Sequence, residues 1–580
     1  MTRIWRLKPL SRQARTLAER TGLGLPEAQV LVNRGICDEK RMASFLSPRL
    51  SSLLDPFLMK DMEDAVSLLL EAVKDREPII VYGDYDADGL TATALLVHFL
   101  TYLGIPLSHY IPNRLTEGYG LHASAVRRSS PVKGGLLVTV DCGVSGTAEI
   151  RVLQDLGMKV IVTDHHQIPE AFEAICPTVN PHRPDCPFPF KGLSGAGVAF
   201  FLLVALRSRL REAGWFESLP EPDLRDYLDL VALGTVADMV PLADQNRILV
   251  SSGLERIRDS RWPGLLAIQE ACEFGPSPRT SDDLAFRVAP RLNASGRMGE
   301  AEAGIALLTA DNLPLARRLA GRLNRLNVER QEAETAVLNE IEATLPSRVD
   351  PNSRRTLVFA GEGWHRGVLG IVASRLVEKY HRPTIVLDVR DGVAAGSGRS
   401  IPGFDLYHAL TKLGPLLSRF GGHRQAAGLG LEVSRIEAFA EGLEAVALEQ
   451  IRPEDLVAAI EVDAEAALQE LDVPAAARLS SYGPFGSGNP EPVFYSGDLE
   501  VLEARTVGDR HLRIRVRQGA AVADGIGFGL ADRYDPRSRR VNLVYRPGIH
   551  EWQGLRRVEL KVMDMEESGH SSRLQRLEAE

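Results

Sequence analysis

Hydrophobic residues along this chain fall into three patterns, and each predicts a different kind of structure. The first is a short run that is apolar from end to end. Pro78-Ile-Ile-Val-Tyr82, Gly135-Leu-Leu-Val-Thr-Val140 and Val160-Ile-Val-Thr163 are of this kind, with helical segments between them. Strands with no solvated face belong to covered parallel sheets, so residues 60 to about 260 read as an α/β unit. Thr356-Leu-Val-Phe-Ala360 and Thr384-Ile-Val-Leu387 mark a second α/β unit over 355 to about 450. The second pattern is a helical stripe: Leu319, Leu323 and Leu326 recur at i, i+4 and i+7 in a run from Pro314 to about Leu345. At about 1.5 Å per residue such a helix spans about 45 Å, which suits a strut between two units. The third is alternation. Leu512-Arg-Ile-Arg-Val-Arg517 predicts a strand with one buried and one solvated face, and short strands at 492–495, 541–545 and 558–562 complete a small barrel. Residues 1 to about 50 carry short helical patterns with Arg and no chemistry, as a cover or as a channel wall. The tail from Glu566 is polar and expected to fray.

Composition adds bounds. With 580 residues the chain exceeds one core, and 44% hydrophobic with 25% charged residues is ordinary for globular proteins. No apolar run reaches the ~18 residues of a membrane span, and the first residues lack the apolar core of a signal peptide. Five scattered cysteines (37, 142, 176, 186, 272) predict reduced thiols and a cytoplasmic protein. The net charge of −9 excludes a chain coated in basic surface, so a nucleic-acid partner needs a local groove. Between Arg505 and Arg557 there are twelve Arg, five acidic residues and no Lys.

The candidate chemistry lies where apolar runs stop. Asp84-Tyr-Asp86-Ala-Asp88-Gly89 follows the first; read as extended chain, it puts three carboxylates on one face. Such a face needs hard divalent cations. The spacing also matches the start of an EF-hand loop, but Leu95 stands at the twelfth position, where that loop needs Glu. Asp141-Cys-Gly143 and Asp164-His165-His166 follow the next two runs, and Asp238-Met-Val-Pro241 follows a fourth apolar run from Leu228. Ligands gather beyond the carboxyl ends of parallel strands, so one crevice can collect all four motifs. Adjacent in an extended loop, His165 and His166 should point apart. The segment Phe286-Arg-Val-Ala-Pro-Arg291-Leu-Asn293-Ala-Ser295-Gly-Arg297-Met298 is too rich in polar groups for a plain linker.

In that order these motifs resemble the DHH phosphoesterase superfamily. Gly396-Ser-Gly-Arg399-Ser400 and Gly421-Gly-His423 resemble its accessory DHHA1 domain. Tyr482-Gly-Pro-Phe-Gly-Ser-Gly-Asn489-Pro-Glu-Pro-Val-Phe494 is similar to the approach to the third domain of the branch that degrades single-stranded DNA from the 5′ end. The likeness runs from about residue 50 to about 565. It implies an α/β fold: an N-terminal segment (1–55), a DHH domain with a parallel sheet (56–300), a connecting helix (301–348), a DHHA1 domain (349–455) and an OB-like barrel (456–570). It implies two Mn²⁺ or Mg²⁺ ions and two-metal phosphodiester hydrolysis. Asp141 would bridge the ions, Asp86 would serve one, and Asp88, His165 and Asp238 the other. Asp84 would be a further ligand or stand behind one, and His166 would meet the scissile phosphate. Arg114, Arg291, Ser397 and Arg399 would surround a terminal 5′ phosphate, His423 would line the same cleft, and Tyr119 would stack on a base or pack. The implied partners are single-stranded DNA, a single-strand-binding protein and a helicase, with a monomeric chain and no membrane. Relatives acting on short oligoribonucleotides or cyclic dinucleotides are shorter and lack a barrel. An inactive replication scaffold would have lost metal ligands, and this chain keeps them.

Overall fold

The computed structural model describes residues 3–129, 134–275, 277, 279–348, 354–569 and 573–578. The apolar runs form one parallel sheet in the order Leu107–Tyr110, Ile79–Tyr82, Leu136–Val140, Lys159–Thr163, Thr178–Val179. Every residue of Ile79–Tyr82 and Leu136–Val140 is buried, which is why neither shows alternation. The apolar run before Asp238 is different. Leu228–Ala237 is a helix, and Asp238 caps its C-terminal end. It has no polar stripe because it is packed between helices Ala87–Tyr102 and Asp244–Ile257 and is buried all round.

Helix Leu313–Arg348 runs for 36 residues, about 54 Å at 1.5 Å per residue. Leu323 and Leu326 are buried in the core of the first sheet, while Val337 and Ile341 belong to a second core with Leu369 and Leu376. It is thus the expected strut. The second sheet has the order Arg419–His423, Ala426–Glu432, Val393–Arg399, Thr384–Arg390, Leu357–Glu362.

Five strands close a barrel: Phe494–Val507, His511–Gln518, Ala521–Gly527, Leu555–Glu567 and Arg540–Trp552, which returns to the first. Three of them run to 13 or 14 residues, longer than expected, because their polar outer ends project beyond the core. Leu512, Ile514 and Val516 point inward, and Arg513, Arg515 and Arg517 point to solvent. Both chain ends join this unit. Strand Ile4–Leu7 lies parallel between Ala459–Val462 and Leu574–Arg576, so the tail expected to fray forms a strand there. Ala14, Leu17 and Leu31 enter the barrel core, and the Glu27 carboxylate pairs with Arg478 at 2.7 Å. The N-terminal segment is thus a cover for the barrel. Among the described residues, no helix is long and apolar enough to cross a membrane.

Candidate metal centre

The three acids of the first motif do not share an extended face. The chain turns into helix Ala87–Tyr102, and Asp86 caps it by accepting from the N–H groups of Asp88 (3.0 Å) and Gly89 (3.1 Å). The turn is tight: a Cβ on Gly89 would meet the Asp84 backbone at 2.6 Å. Asp88 therefore points away from Asp84, and its carboxylate accepts from Gly195 N (2.6 Å) and Ala196 N (2.9 Å). Asp141, at φ 61°, ends strand Leu136–Val140.

His165 and His166 also depart from expectation. Their ring centroids lie 4.5 Å apart. Asp164 is the cause: its Oδ1 accepts from both backbone N–H groups, at 2.8 and 3.1 Å, and folds the pair into a turn. Nothing in the Asp164-His165-His166 motif alone marks Asp164 for this part. It also lies 2.8 Å from His166 Nδ1. Burial draws the His166 imidazole down, but the bond and charge of Asp164 outweigh this and raise it to about 9. The Tyr119 hydroxyl stands 3.1 Å from the same Nδ1, with the ring half exposed.

His165 Nε2 is the hub of the site. It lies 3.1 Å from Asp141 Oδ1, 3.5 Å from Asp238 Oδ2 and 3.9 Å from Asp88 Oδ2. Three sets of ligand atoms lie within 4.8 Å of one another: Asp84, Asp86 and Asp141; Asp88, His165 and Asp238; and Asp141, His165 and His166. Asp141 is common to the first and third sets, and His165 to the second and third. Among the described residues, Asp84 Oδ1, Asp141 Oδ1 and His165 Nε2 are buried without a hydrogen-bond partner, which proteins rarely tolerate. Burial first, then the charges of Asp88 and Asp86, hold the Asp141 carboxyl well above the usual range. Burial and then Asp86 do the same to Asp84 and raise Asp88 to about 7. Burial and then Asp88 raise Asp238 to about 9. Burial, then His166, lowers His165 to about 4, leaving a neutral imidazole with a free lone pair. Crowded buried anions beside a neutral imidazole lack counter-charge, and two divalent cations fit that donor set.

Basic groups converge beside the acids. Arg114 lies over the Tyr85 ring at 5.1 Å and lines a cavity of about 160 Å³ with Asp86, Asp88, Asp238, Asn293 and Arg297. Burial and then Arg114 lower the Arg399 pKa, and burial followed by Arg114 and Arg399 lowers Arg297 to about 10. Three guanidinium groups thus feel one another, as at an anion site. Arg297 and Asn293, whose Oδ1 accepts from Ala87 N at 2.8 Å, join the site without being singled out by any motif; the polar 286–298 segment is their signal in the sequence. Arg291 is not brought into this group, since it donates to Asn324 Oδ1 (3.0 Å) and Arg287 O (2.6 Å). Ser397 lines a neighbouring groove of about 530 Å³ with Tyr119, Arg366 and Phe420. Glycines flank it, and bare glycine backbone can offer N–H groups to a phosphate. Here they lie in a central strand paired on both sides, so the ladders use those groups. His423 ends the exposed edge strand; burial, Arg399 and His166 lower its pKa.

Buried carboxylates and an imidazole at the strand ends of a parallel sheet, beside an arginine cluster, define a metal-dependent phosphoesterase. Sequence models agree: the DHH family N-terminal domain matches residues 78–235, the DHHA1 domain 354–449 and the RecJ OB domain 462–564. The single-stranded-DNA-specific exonuclease RecJ of Dickeya dadantii (strain 3937) is 40% identical, over 90% of this chain and 93% of its own length. That of Escherichia coli (strain K12) is 39% identical over 92% and 94%. The crystal structure of RecJ in complex with Mn²⁺ from Thermus thermophilus superposes with a TM-score of 0.82 at 34% identity, over 97% of this chain and 79% of that one. The chain belongs to the RecJ family.

Proposed function

We propose that the chain is a metal-dependent exonuclease that degrades single-stranded DNA from the 5′ end to mononucleotides, in recombination and repair. One observation carries the reading: the unpartnered ligand atoms of Asp84, Asp141 and His165 lie beside the cluster of Arg114, Arg297 and Arg399. Two Mn²⁺ or Mg²⁺ ions would supply an activated water and stabilise the charge on the phosphate under attack. Asp84, Asp86, Asp88, Asp141, His165 and Asp238 would hold them, Asp141 as the carboxylate shared between the two. His166, oriented by Asp164, donates to the scissile phosphate. Arg114, Arg399 and Ser397 hold the terminal 5′ phosphate, with Arg297 beside them, and His423 lines the cleft. Arg291 joins only by releasing Asn324. Tyr119 offers the exposed face of its ring to a base.

The barrel holds the strand further on; an enzyme for short oligoribonucleotides or cyclic dinucleotides would have no use for it. The chain acts as a cytoplasmic monomer, alongside a single-strand-binding protein and a helicase. Digestion of end-labelled single- and double-stranded DNA with Mn²⁺ or Mg²⁺ tests this. Mononucleotides should leave the 5′ end of single strands alone. Arg399→Ala should bring the rates on 5′-phosphate and 5′-hydroxyl ends together, and an unchanged ratio would place the anchor elsewhere.

A further inference from the structure

Away from the metal crevice, a cavity of about 380 Å³ lies where three distant stretches meet: 34–52, 242–248 and the Gly488-Asn489 turn. Phe45, Leu242 and Ile248 make one wall, and Arg34, Arg49 and Arg247 face it. Arg247 is 4% exposed. Its Nε donates to Phe45 O at 2.9 Å, its Nη1 to Tyr482 O at 2.9 Å, and its guanidinium lies 3.7 Å from the centre of the Phe45 ring. Among the described residues its Nη2 has no acceptor. Among the described residues Arg34 also bonds only neutral acceptors, Asn489 Oδ1, Val30 O and Pro490 O. Arg49, exposed at the rim, makes no side-chain hydrogen bond or ion pair among the described residues. The acid in the lining, Asp244, accepts from the Gln245 amide at 2.7 Å.

Backbone carbonyls explain how Arg247 is positioned. They do not explain why a second cation stands beside it: among the described residues no carboxylate is hydrogen-bonded to either, although the charge of Asp463 acts on Arg34 from further off. Uncompensated buried charge is costly. Burial and then the charge of Arg34 lower Arg247 to about 10, as the missing counter-charge requires. An anion in the cavity would supply it, and the guanidinium fork suits phosphate. The volume exceeds that of a bare phosphate and falls at the lower end of small-molecule sites, about 300–1,000 Å³. The apolar wall calls for an organic portion.

We propose that this junction cavity binds an organic phosphate of mononucleotide size. Arg247 and Arg49 hold the phosphate, and the organic part packs on Phe45 and Ile248. A nucleotide released by the reaction and a free ribonucleotide share this chemistry. The test is calorimetric titration of the full chain, with EDTA present, using dAMP, AMP, inorganic phosphate and adenosine. Wild type should bind dAMP at two classes of site. Arg399→Ala should remove only the crevice class. Arg49→Ala should weaken the other about tenfold or more, the loss of one charged contact. Ser44→Trp, at an exposed rim position, should block it while leaving exonuclease rates unchanged. Phosphate and adenosine should each bind this site more weakly than dAMP. A dAMP preference over AMP would mark the reaction product as occupant, and equal binding a free nucleotide. Titrations of Arg49→Ala and Ser44→Trp that both match wild type would overturn the proposal. If instead Arg399→Ala loses nothing, the crevice reading fails and this one stands.

Discussion

The metal crevice and the barrel are both dense in charge, but they treat it in opposite ways. In the crevice Asp88, Asp141 and Asp238 have only His165 and His166 within ion-pair distance among the described residues, and three ligand atoms have no partner. In the barrel, nine of the twelve arginines between 505 and 557 sit in ion pairs; among the described residues Arg510, Arg513 and Arg539 have none. Arg517 lies on Glu500, Arg540 on Asp498, and Arg557 on Asp524. A charge count therefore measures function poorly. What marks a site is charge the protein leaves unbalanced, and by that measure the crevice is built for an external ion. Most of the barrel's arginines serve its own surface.

Removing the linking carboxylate should break the crevice most. Asp141→Ala takes the shared ligand from two of the three sets, so turnover at saturating Mn²⁺ should fall about a thousandfold or more. The protein should still fold, because the lost group was itself a buried, repelled charge. Thermal unfolding with EDTA should show Asp141→Asn more stable than wild type by roughly 1–3 kcal/mol. An active variant, or a destabilised chelated one, would contradict the unbalanced-charge account.

Much of this was legible in the sequence, for stateable reasons. Strands Ile79–Tyr82 and Leu136–Val140, and residues 160–163 of the next, are buried throughout because the sheet is covered on both sides, and the acids at their ends follow from the parallel topology. Alternation gave the strand His511–Gln518, and the apolar stripe gave the strut. Periodicity could not tell the buried helix Leu228–Ala237 from other apolar runs, because burial on all sides erases the polar face. Nor could it reveal that Asp86 caps a helix, which sets Asp88 apart from Asp84. The partnership of Ile4–Leu7 with Ala459–Val462 joins residues more than 450 positions apart, and four-residue strands carry little pattern. Truncation at about residue 480 keeps every metal-site motif, and from motif positions alone should leave a folded core that binds long single strands weakly; it would instead expose Ala14, Leu17 and Leu31. The ion pairs of the barrel depend on register, so twelve arginines looked like one basic groove.

The two histidines sharpen the comparison at intermediate size. His165→Ala removes a ligand from two sets and should weaken Mn²⁺ binding about 10–100-fold in a calorimetric titration. His166→Ala should lower turnover more than metal affinity, since Asp164 already engages its Nδ1. Equal loss of metal binding in both would merge their roles.

A smaller effect reads the crevice through pH. Asp238 and His166 both have folded values raised to about 9, above their unfolded ones. A group raised in the folded state holds its proton longer there, so its stabilising share is lost as pH rises towards the folded value. The chelated protein should therefore lose stability between about pH 7 and about pH 9. Saturating Mn²⁺ should flatten that slope, because the cation replaces the proton. Melting temperatures at both pH values, with EDTA and with Mn²⁺, give the four numbers needed. The same slope in both series would mean that these groups do not hold the ion.

The smallest expected effect tests the barrel's side. If balanced arginines serve the surface and unbalanced ones serve DNA, then Arg513→Ala and Arg540→Ala should differ. Arg513 lies on the solvent face of strand His511–Gln518 without an ion pair among the described residues, whereas Arg540 is held at 2.5 Å by Asp498. Each phosphate contact on a single strand adds about 0.7 to the slope of log affinity against log salt. Arg513→Ala should lower that slope by about this amount on a long oligonucleotide and by nothing on a very short one that never leaves the crevice. Arg540→Ala should leave the slope alone and cost at most about 1 kcal/mol of stability, as for an exposed pair. Equal slope changes would show that ion pairs within the barrel open on binding. Charge balance in the free protein would then stop being a guide to which arginines meet DNA.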